Sequence, residues 1–324
     1  MKKYRKHKKF NGFRIKLLLF VFLIFTIVLV PKVYSANFNN LKFIQVSDVH
    51  YSSFEDNTSY KMLENSIELF DDAIDQINSV SNVNFVMFTG DMINLPLKKE
   101  LLGFIKEANK ICHKWYVVLG NHDVDVDGKL TKKMYFDILN SHNLNFAQTN
   151  SYYSFIPKKG YKVIGLDTTI DGEFTAQGLI TQEQLQWLDK ELKSAGNSVV
   201  ILFMHAPLEP PYHSPSHIVR NAEEVKAVIN KYNNPMLICS GHYHAVRVKQ
   251  DENKLYISSP ALVSYPNAFR IVNIHSQKQK IIVDLYLKET RLDEVRTRAK
   301  IRILGSSVIY GEDSDRTGTY ELKR

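Results

Sequence analysis

The chain has 324 residues, 44% of them hydrophobic and 23% charged, ordinary globular proportions with enough apolar residues to bury a large core. Its formal net charge of +8 invites a nucleic-acid reading, but the excess is local. Lys2, Lys3, Arg5, Lys6, Lys8, Lys9, Arg14 and Lys16 stand in a stretch without an acid, which leaves 34 of the 42 Lys and Arg to balance 34 Asp and Glu. A formally neutral remainder offers no basic surface for nucleic acid, and two cysteines, Cys112 and Cys239, exclude a disulfide scaffold. Both cysteines sit beside predicted strands in apolar surroundings and read as buried free thiols, with a single bridge between them as the alternative.

Next to the basic tract, residues 17–30 are Leu, Phe, Val, Ile and one Thr, with no charge. Fourteen residues are few for a spanning helix and typical of the apolar core of a signal peptide, although Ile15 and the snorkelling Lys16 and Lys32 extend the run. Val33, Tyr34 and Ser35 are compatible with cleavage. Residues 1–36 are therefore expected to be either a signal anchor, a transmembrane helix, or a cleaved signal peptide. In both cases the basic flank stays in the cytoplasm. The domain that follows is expected to be membrane-anchored outside the cytoplasm, or secreted.

From Leu41 onward short apolar runs alternate with stretches of helical period, the pattern of an α/β domain. Strands are predicted at 43–46, 85–88, 116–119, 162–166, 199–204 and 236–239, and helices at 60–79, 97–111, 131–139, 182–193 and 222–231. Thr181 and Asn221 read as N-caps, the first with Gln184 as the return arm of a capping box. After Gly241 the pattern turns to strands alone, at 245–249, 255–258, 270–274 and 280–287. No Pro/Gly/Ser-rich linker intervenes, so residues 37–287 read as one domain, followed by a charged extension, 288–324, to which the sequence assigns no role.

Chemistry-bearing residues recur at the C-terminal ends of the predicted strands, the edge where open α/β sheets bind ligands. Asp48 and His50, two apart in an extended segment, share a side. Gly90-Asp91 follows the second strand, where glycine allows a tight turn and the carboxylate could bridge two cations. Gly120-Asn121-His122-Asp123 follows the third. An amide oxygen ligates hard cations, an adjacent imidazole serves as acid or donor, and a following carboxylate can fix that imidazole's tautomer. His205 ends the strand before Ala206-Pro207, and His242 and His244 follow Gly241. Asp48-x-His50 and Gly90-Asp91 alone would be unremarkable turn chemistry, whereas the Gly120–Asp123 cluster is harder to dismiss. Five of the eleven histidines at such positions, with two Asp and an Asn, are hard to attribute to core packing.

In this order the motifs Asp48-x-His50, Gly90-Asp91, Gly120-Asn121-His122-Asp123, His205 and Gly241-His242-x-His244 resemble the calcineurin-like metallophosphoesterases, over about residues 41–287. The resemblance implies a four-layer sandwich of two packed mixed β-sheets flanked by helices. It also implies a two-metal site, with Asp48, His50 and His244 on one ion, Asn121, His205 and His242 on the other, Asp91 bridging, and His122 as the catalytic imidazole. Residues 178–188, with Leu185, Trp187 and Leu188 on an amphipathic helix, are similar to the bacterial cyclic-nucleotide and glycerophosphodiester phosphodiesterases of that family. Where those enzymes often carry a second histidine after the third motif, this chain has Ala206. The purple acid phosphatases place Tyr three residues after the bridging Asp and lack His in the first motif; Asn94 and His50 argue against that branch.

The implied reaction is hydrolysis of a small-molecule phosphate ester by a hydroxide generated on two divalent transition-metal ions, Mn, Fe or Zn. His122 would stabilise the transition state or protonate the leaving alkoxide. Tyr212, His213 and His217 are candidates to line a leaving-group pocket. A phosphodiester is the expected substrate. A phosphomonoester, or a non-catalytic interaction protein on the same fold, is the alternative.

Overall fold

The computed structural model describes residues 40–143, 148, 150–304 and 306–324. The basic tract and apolar run of residues 1–36 lie outside the described residues. No described helix is long and apolar enough to cross a membrane.

In chain order the elements are β1 (Leu41–Val46), α1 (Ser66–Asn78), β2 (Phe85–Thr89), α2 (Lys98–Ala108), β3 (Trp115–Val118), α3 (Lys132–His142), β4 (Tyr153–Phe155), β5 (Tyr161–Gly165), α4 (Gln182–Ser194), β6 (Val199–Phe203), α5 (Ala222–Ile229), β7 (Met236–Ser240), β8 (Arg247–Asp251), β9 (Lys254–Ser258), β10 (Ala268–Ser276), β11 (Lys280–Glu289), α6 (Asp293–Arg302) and β12 (Thr317–Lys323). They form two six-stranded sheets, ordered β12-β11-β10-β1-β2-β3 and β4-β5-β6-β7-β9-β8. Both are mixed. The strands β1, β2 and β3 run parallel in one, β5, β6, β7 and β9 in the other, with antiparallel partners toward the edges.

The period-2 rule accounts for the layering. In β2, Phe85 and Met87 face the second sheet and pack with Phe43, Phe203 and Leu237. Val86 and Phe88 point the other way, against Phe70 of α1, Phe104 of α2 and Tyr135 of α3. The second sheet does the same, with Val200 and Met236 packed on Leu188 of α4 and Val225 of α5. Strands buried on both faces read as unbroken apolar runs, and helices cover each outer face.

Several local readings change. Helix α1 starts at Ser66 rather than near Tyr60, so residues 60–62 run as a loop. The Thr181 hydroxyl accepts from the Gln184 amide as an N-cap should, but the Gln184 side chain turns away and pairs with both backbone groups of Asp167 at 2.8 Å. Asn221 makes no cap for its own helix; its side chain bonds the Ile180 backbone instead. Cys239 is buried as expected, whereas Cys112 is exposed in the turn after α2, and both are free. Residues 288–324 are part of the same compact unit as Leu41 onward. Val295 and Ala299 of α6 enter the core beside α1, and β12 adds the edge strand of the first sheet through its pairing with β11.

Candidate metal centre

The C-terminal ends of β1, β2 and β3 from one sheet and of β6 and β7 from the other meet at one edge of the sandwich. The turns are tied to each other before any side chain is considered. Asp48 N–H donates to the Gly90 carbonyl at 3.1 Å, His50 N–H to Asp91 at 2.9 Å, and Gly241 N–H to His205 at 3.0 Å. Two glycines permit this approach. Gly90 has φ +90°, and a β-carbon on it would strike the His205 ring; one on Gly241 would strike the Ser47 hydroxyl and the Asp48 carboxylate.

Asp48, His50, Asp91, His242 and His244 all have left-handed φ, between 45° and 73°. Such geometry costs about 1–3 kcal/mol per residue, less for Asp and His than for bulkier types, and persists where surrounding structure over-determines it. Here it turns five side chains inward at the strand ends.

The side chains fall into two groups that share a wall. In the first, His244 Nε2 lies 3.2 Å and His50 Nε2 4.0 Å from Asp48 Oδ1, and the two imidazole nitrogens are 3.4 Å apart. In the second, His205 Nε2 lies 3.3 Å from Asp91 Oδ2 and 3.0 Å from His242 Nδ1. Asp91 Oδ2 is also 3.5 Å from His50 Nε2, so one carboxylate oxygen faces both groups. Asn121 contributes a buried Oδ1 without a hydrogen-bond partner, as does Asp48 Oδ1. Two orphaned acceptors in one cluster are costly unless a cation satisfies them. Imidazole, carboxylate and amide donors at this spacing fit divalent transition metals.

The supporting contacts set orientation. His205 Nδ1 meets the Thr89 carbonyl at 2.8 Å, and His244 Nδ1 the Ser264 hydroxyl at 2.8 Å. Asp48 Oδ2 accepts from Ser47 Oγ at 2.5 Å and from the His242 N–H at 3.0 Å. Burial opposes ionisation of Asp91, but the His205 and His122 imidazoles hold its carboxyl well below the usual range. Burial also opposes protonation of His205, yet the Asp91 charge lifts it to about 9. Burial, with the His205 charge added, pushes His242 down to about 3. Burial and then Lys61 push His50 well below its ordinary value.

His122 stands at the side of the pair. Its N–H donates to Asp91 Oδ1 at 2.9 Å and its Nδ1 meets the Asn94 carbonyl at 2.7 Å, while Nε2 lies 3.3 Å from Lys61 Nζ. Asp123 does not set this tautomer, as the sequence suggested it might. Its carboxylate instead collects the N–H groups of Gly120, Asp91, Met92 and Ile93 at 2.8–3.2 Å, bracing two ligand-bearing turns. The fixing group is the Asn94 carbonyl, which no sequence pattern marks. Lys61, Asn94 and Glu55 were also not legible as site residues. The helical period runs through Lys61, but residues 60–62 form the loop before α1, and that loop brings it in.

Beside His242 and His244 lies a cavity of about 340 Å³, lined also by Tyr60, Tyr212, His217, Tyr243, Tyr265, Ile303 and Ile309. Tyr212 and His217 are thus at a pocket wall, while His213 is exposed. Ile303 and Ile309 come from the C-terminal stretch, which is tied in by a 2.9 Å bond from Val246 N–H to the Ile309 carbonyl.

A family profile described as calcineurin-like phosphoesterase matches residues 41–246. The chain belongs to that family. It is 25% identical over 211 residues to a probable glycerophosphodiester phosphodiesterase from Arcobacter nitrofigilis, covering 63% of this chain and 71% of the relative. It is 26% identical to a manganese-dependent ADP-ribose/CDP-alcohol diphosphatase from Arabidopsis thaliana (61% and 78% covered), and 24% identical to a probable cyclic nucleotide phosphodiesterase from Xenorhabdus bovienii (68% and 86%). A dimetal phosphatase from Danio rerio shares the fold, with a TM-score of 0.60 at 18% identity over 75% of this chain and 95% of that one. This calcineurin-like phosphoesterase is a hydrolase of phosphate esters, with a centre built for two divalent metal ions.

Proposed function

We propose that the chain is a phosphodiesterase in which Asp48, His50 and His244 hold one ion, Asn121, His205 and His242 the other, and Asp91 both. The observation that carries the two-metal assignment is Asp91 Oδ2, set 3.5 Å and 3.3 Å from a histidine of each group. Imidazole, carboxylate and amide donors suit Mn²⁺, Fe²⁺ or Zn²⁺; the Arabidopsis relative named for manganese makes Mn²⁺ the ion to test first. Two such ions supply a nucleophile from bound water at neutral pH and offset charge on the phosphoryl oxygens.

The protein's own residues do the rest. His122, held by Asn94 and Asp91, presents Nε2 to the leaving oxygen. The aromatic cavity beside His242 and His244 supports a diester substrate, because a diester has a second ester arm to place and a monoester does not. The basic flank and apolar run of residues 1–30 support placing this reaction outside the cytoplasm, the domain being membrane-anchored or exported.

The test is hydrolysis of bis(p-nitrophenyl) phosphate against p-nitrophenyl phosphate by the Mn²⁺-loaded full-length chain, repeated on intact cells producing it, since neither charged ester crosses a membrane readily. Higher kcat/KM on the diester, seen in intact cells as strongly as in lysate, is expected. A monoester preference would overturn the substrate class, and activity appearing only on lysis would overturn the topology.

A further inference from the structure

Lys61 is 5% exposed, and among the described residues no carboxylate lies within ion-pair distance of its ammonium. Its three neighbours are His50 Nδ1 at 3.2 Å, Asn94 Oδ1 at 3.3 Å and His122 Nε2 at 3.3 Å. The arrangement is held from behind. Glu55 accepts both of its 2.8–2.9 Å contacts from Asn94 Nδ2, which turns the amide oxygen toward Lys61. The loop is clipped by Thr58 N–H to the Lys61 carbonyl at 3.0 Å and by Met62 N–H to Val263 at 2.8 Å.

A buried ammonium with no carboxylate at ion-pair distance is a net cost to the fold. Such buried charges cluster at functional sites. The anion a phosphoesterase site receives is the ester's phosphoryl group. The Nζ and His122 Nε2 are 3.3 Å apart, close enough for one oxygen to bridge both. A His50 that ligates through Nε2 carries its proton on Nδ1, which can no longer accept from Lys61. Lys61 then keeps Asn94 as its acceptor, and its other N–H groups lie beside His122 Nε2.

We propose that Lys61 is a further catalytic residue of this centre: its ammonium binds a phosphoryl oxygen of the substrate beside His122, adding a fixed protein cation to the charge of the metals. The proposal rests on the phosphoesterase reading above and deepens it. Charge-assisted donors aimed at oxygens that gain charge in the transition state lower the barrier without reorganisation.

The test uses Lys61→Met, which keeps length and removes charge, and Lys61→Arg, which keeps charge, each as the Mn²⁺-loaded full chain. Four quantities are measured: metal content, thermal midpoint, kcat and KM on bis(p-nitrophenyl) phosphate, and the affinity for inorganic phosphate by calorimetry. For Lys61→Met we expect wild-type metal content and a midpoint no lower than wild type. Its phosphate affinity should be weaker by about tenfold or more and its kcat/KM lower by about 10²-fold, with part of the phosphate affinity recovered in Lys61→Arg. A lowered midpoint with unchanged phosphate affinity would make Lys61 a structural tie, and lost metal would make it a support for His50; either result overturns the proposal. If the wild type hydrolyses neither ester but Lys61→Met still loses phosphate affinity, the reaction assigned above fails while the anion contact stands.

Discussion

Behind His205, Nδ1 meets the Thr89 carbonyl at 2.8 Å, whereas behind His50 the corresponding nitrogen faces the Lys61 ammonium at 3.2 Å. The two halves of the centre have similar donors but opposite backing. A carbonyl on Nδ1 fixes the tautomer that leaves Nε2 free for a metal and makes the ring a better donor; an ammonium there does the reverse. The same contrast shows in the protons, His205 being lifted to about 9 by Asp91 while burial and Lys61 hold His50 well below its ordinary value. In the Asp91/His205/His242 group, then, one ring is held in the tautomer a metal would need, while in the Asp48/His50/His244 group one ring has an ammonium behind it; on the proposed assignment the second group should bind its ion more weakly.

The largest expected effect separates the proposed ligands from His122. His122→Ala should leave metal content near wild type and lower kcat by about 10²–10⁴. Because Nδ1 is committed to Asn94, Nε2 carries a proton only when the ring is charged, and burial lowers that pKa. If His122 is the acid, its loss should therefore be felt more on alkyl diesters, whose alkoxides need a proton, than on nitrophenyl esters. Equal losses would leave electrostatic stabilisation as its role, and wild-type rates on both would remove it from the mechanism.

A smaller effect concerns the metal-free protein. His50, His122 and His242 have folded pKa values below 6.5, so the unfolded chain takes up their protons first and stability falls as pH drops below 6.5. His205 has the opposite sign: its contribution is complete below 6.5 and is lost as pH rises through about 9. Asp123, lifted to about 8 by burial and by Asp91, shares that sign and loses its contribution as pH rises from 3.8 through about 8, while His217 joins the three lowered imidazoles. Thermal midpoints of the chelator-treated protein should peak near neutrality and fall more steeply on the acid side, where four imidazoles outweigh one carboxyl. A steeper alkaline limb would contradict these shifts.

How much of this was legible follows from what each residue depends on. The ligands sit at strand ends, where a short-range apolar run and a turn fix position, so Asp48, Asp91, Asn121, His205 and the His242/His244 pair could be read from local pattern. The parallel strands were readable because burial on both faces leaves continuous apolar runs. Lys61 was not, since its role depends on a loop held 200 residues away in sequence at Val263 and on a helix that starts later than its period suggests. Asn94 acts partly through its backbone carbonyl, which carries no side-chain signature. The stretch after Lys288 was opaque for a related reason. Strand β12 alternates exposure along a sheet edge, and its place is set by pairing with β11 rather than by its own composition.

The central claim is one carboxylate shared by two unequal metal sites, and metal content tests it most directly. Elemental analysis of the Mn²⁺-loaded wild type, Asp91→Asn and His50→Ala proteins, after identical dialysis, should give close to two ions per chain for the wild type, about one for His50→Ala, and well under one for Asp91→Asn. An Asp91→Asn protein that retains the wild-type metal content would contradict the shared bridge, and with it the account of the centre.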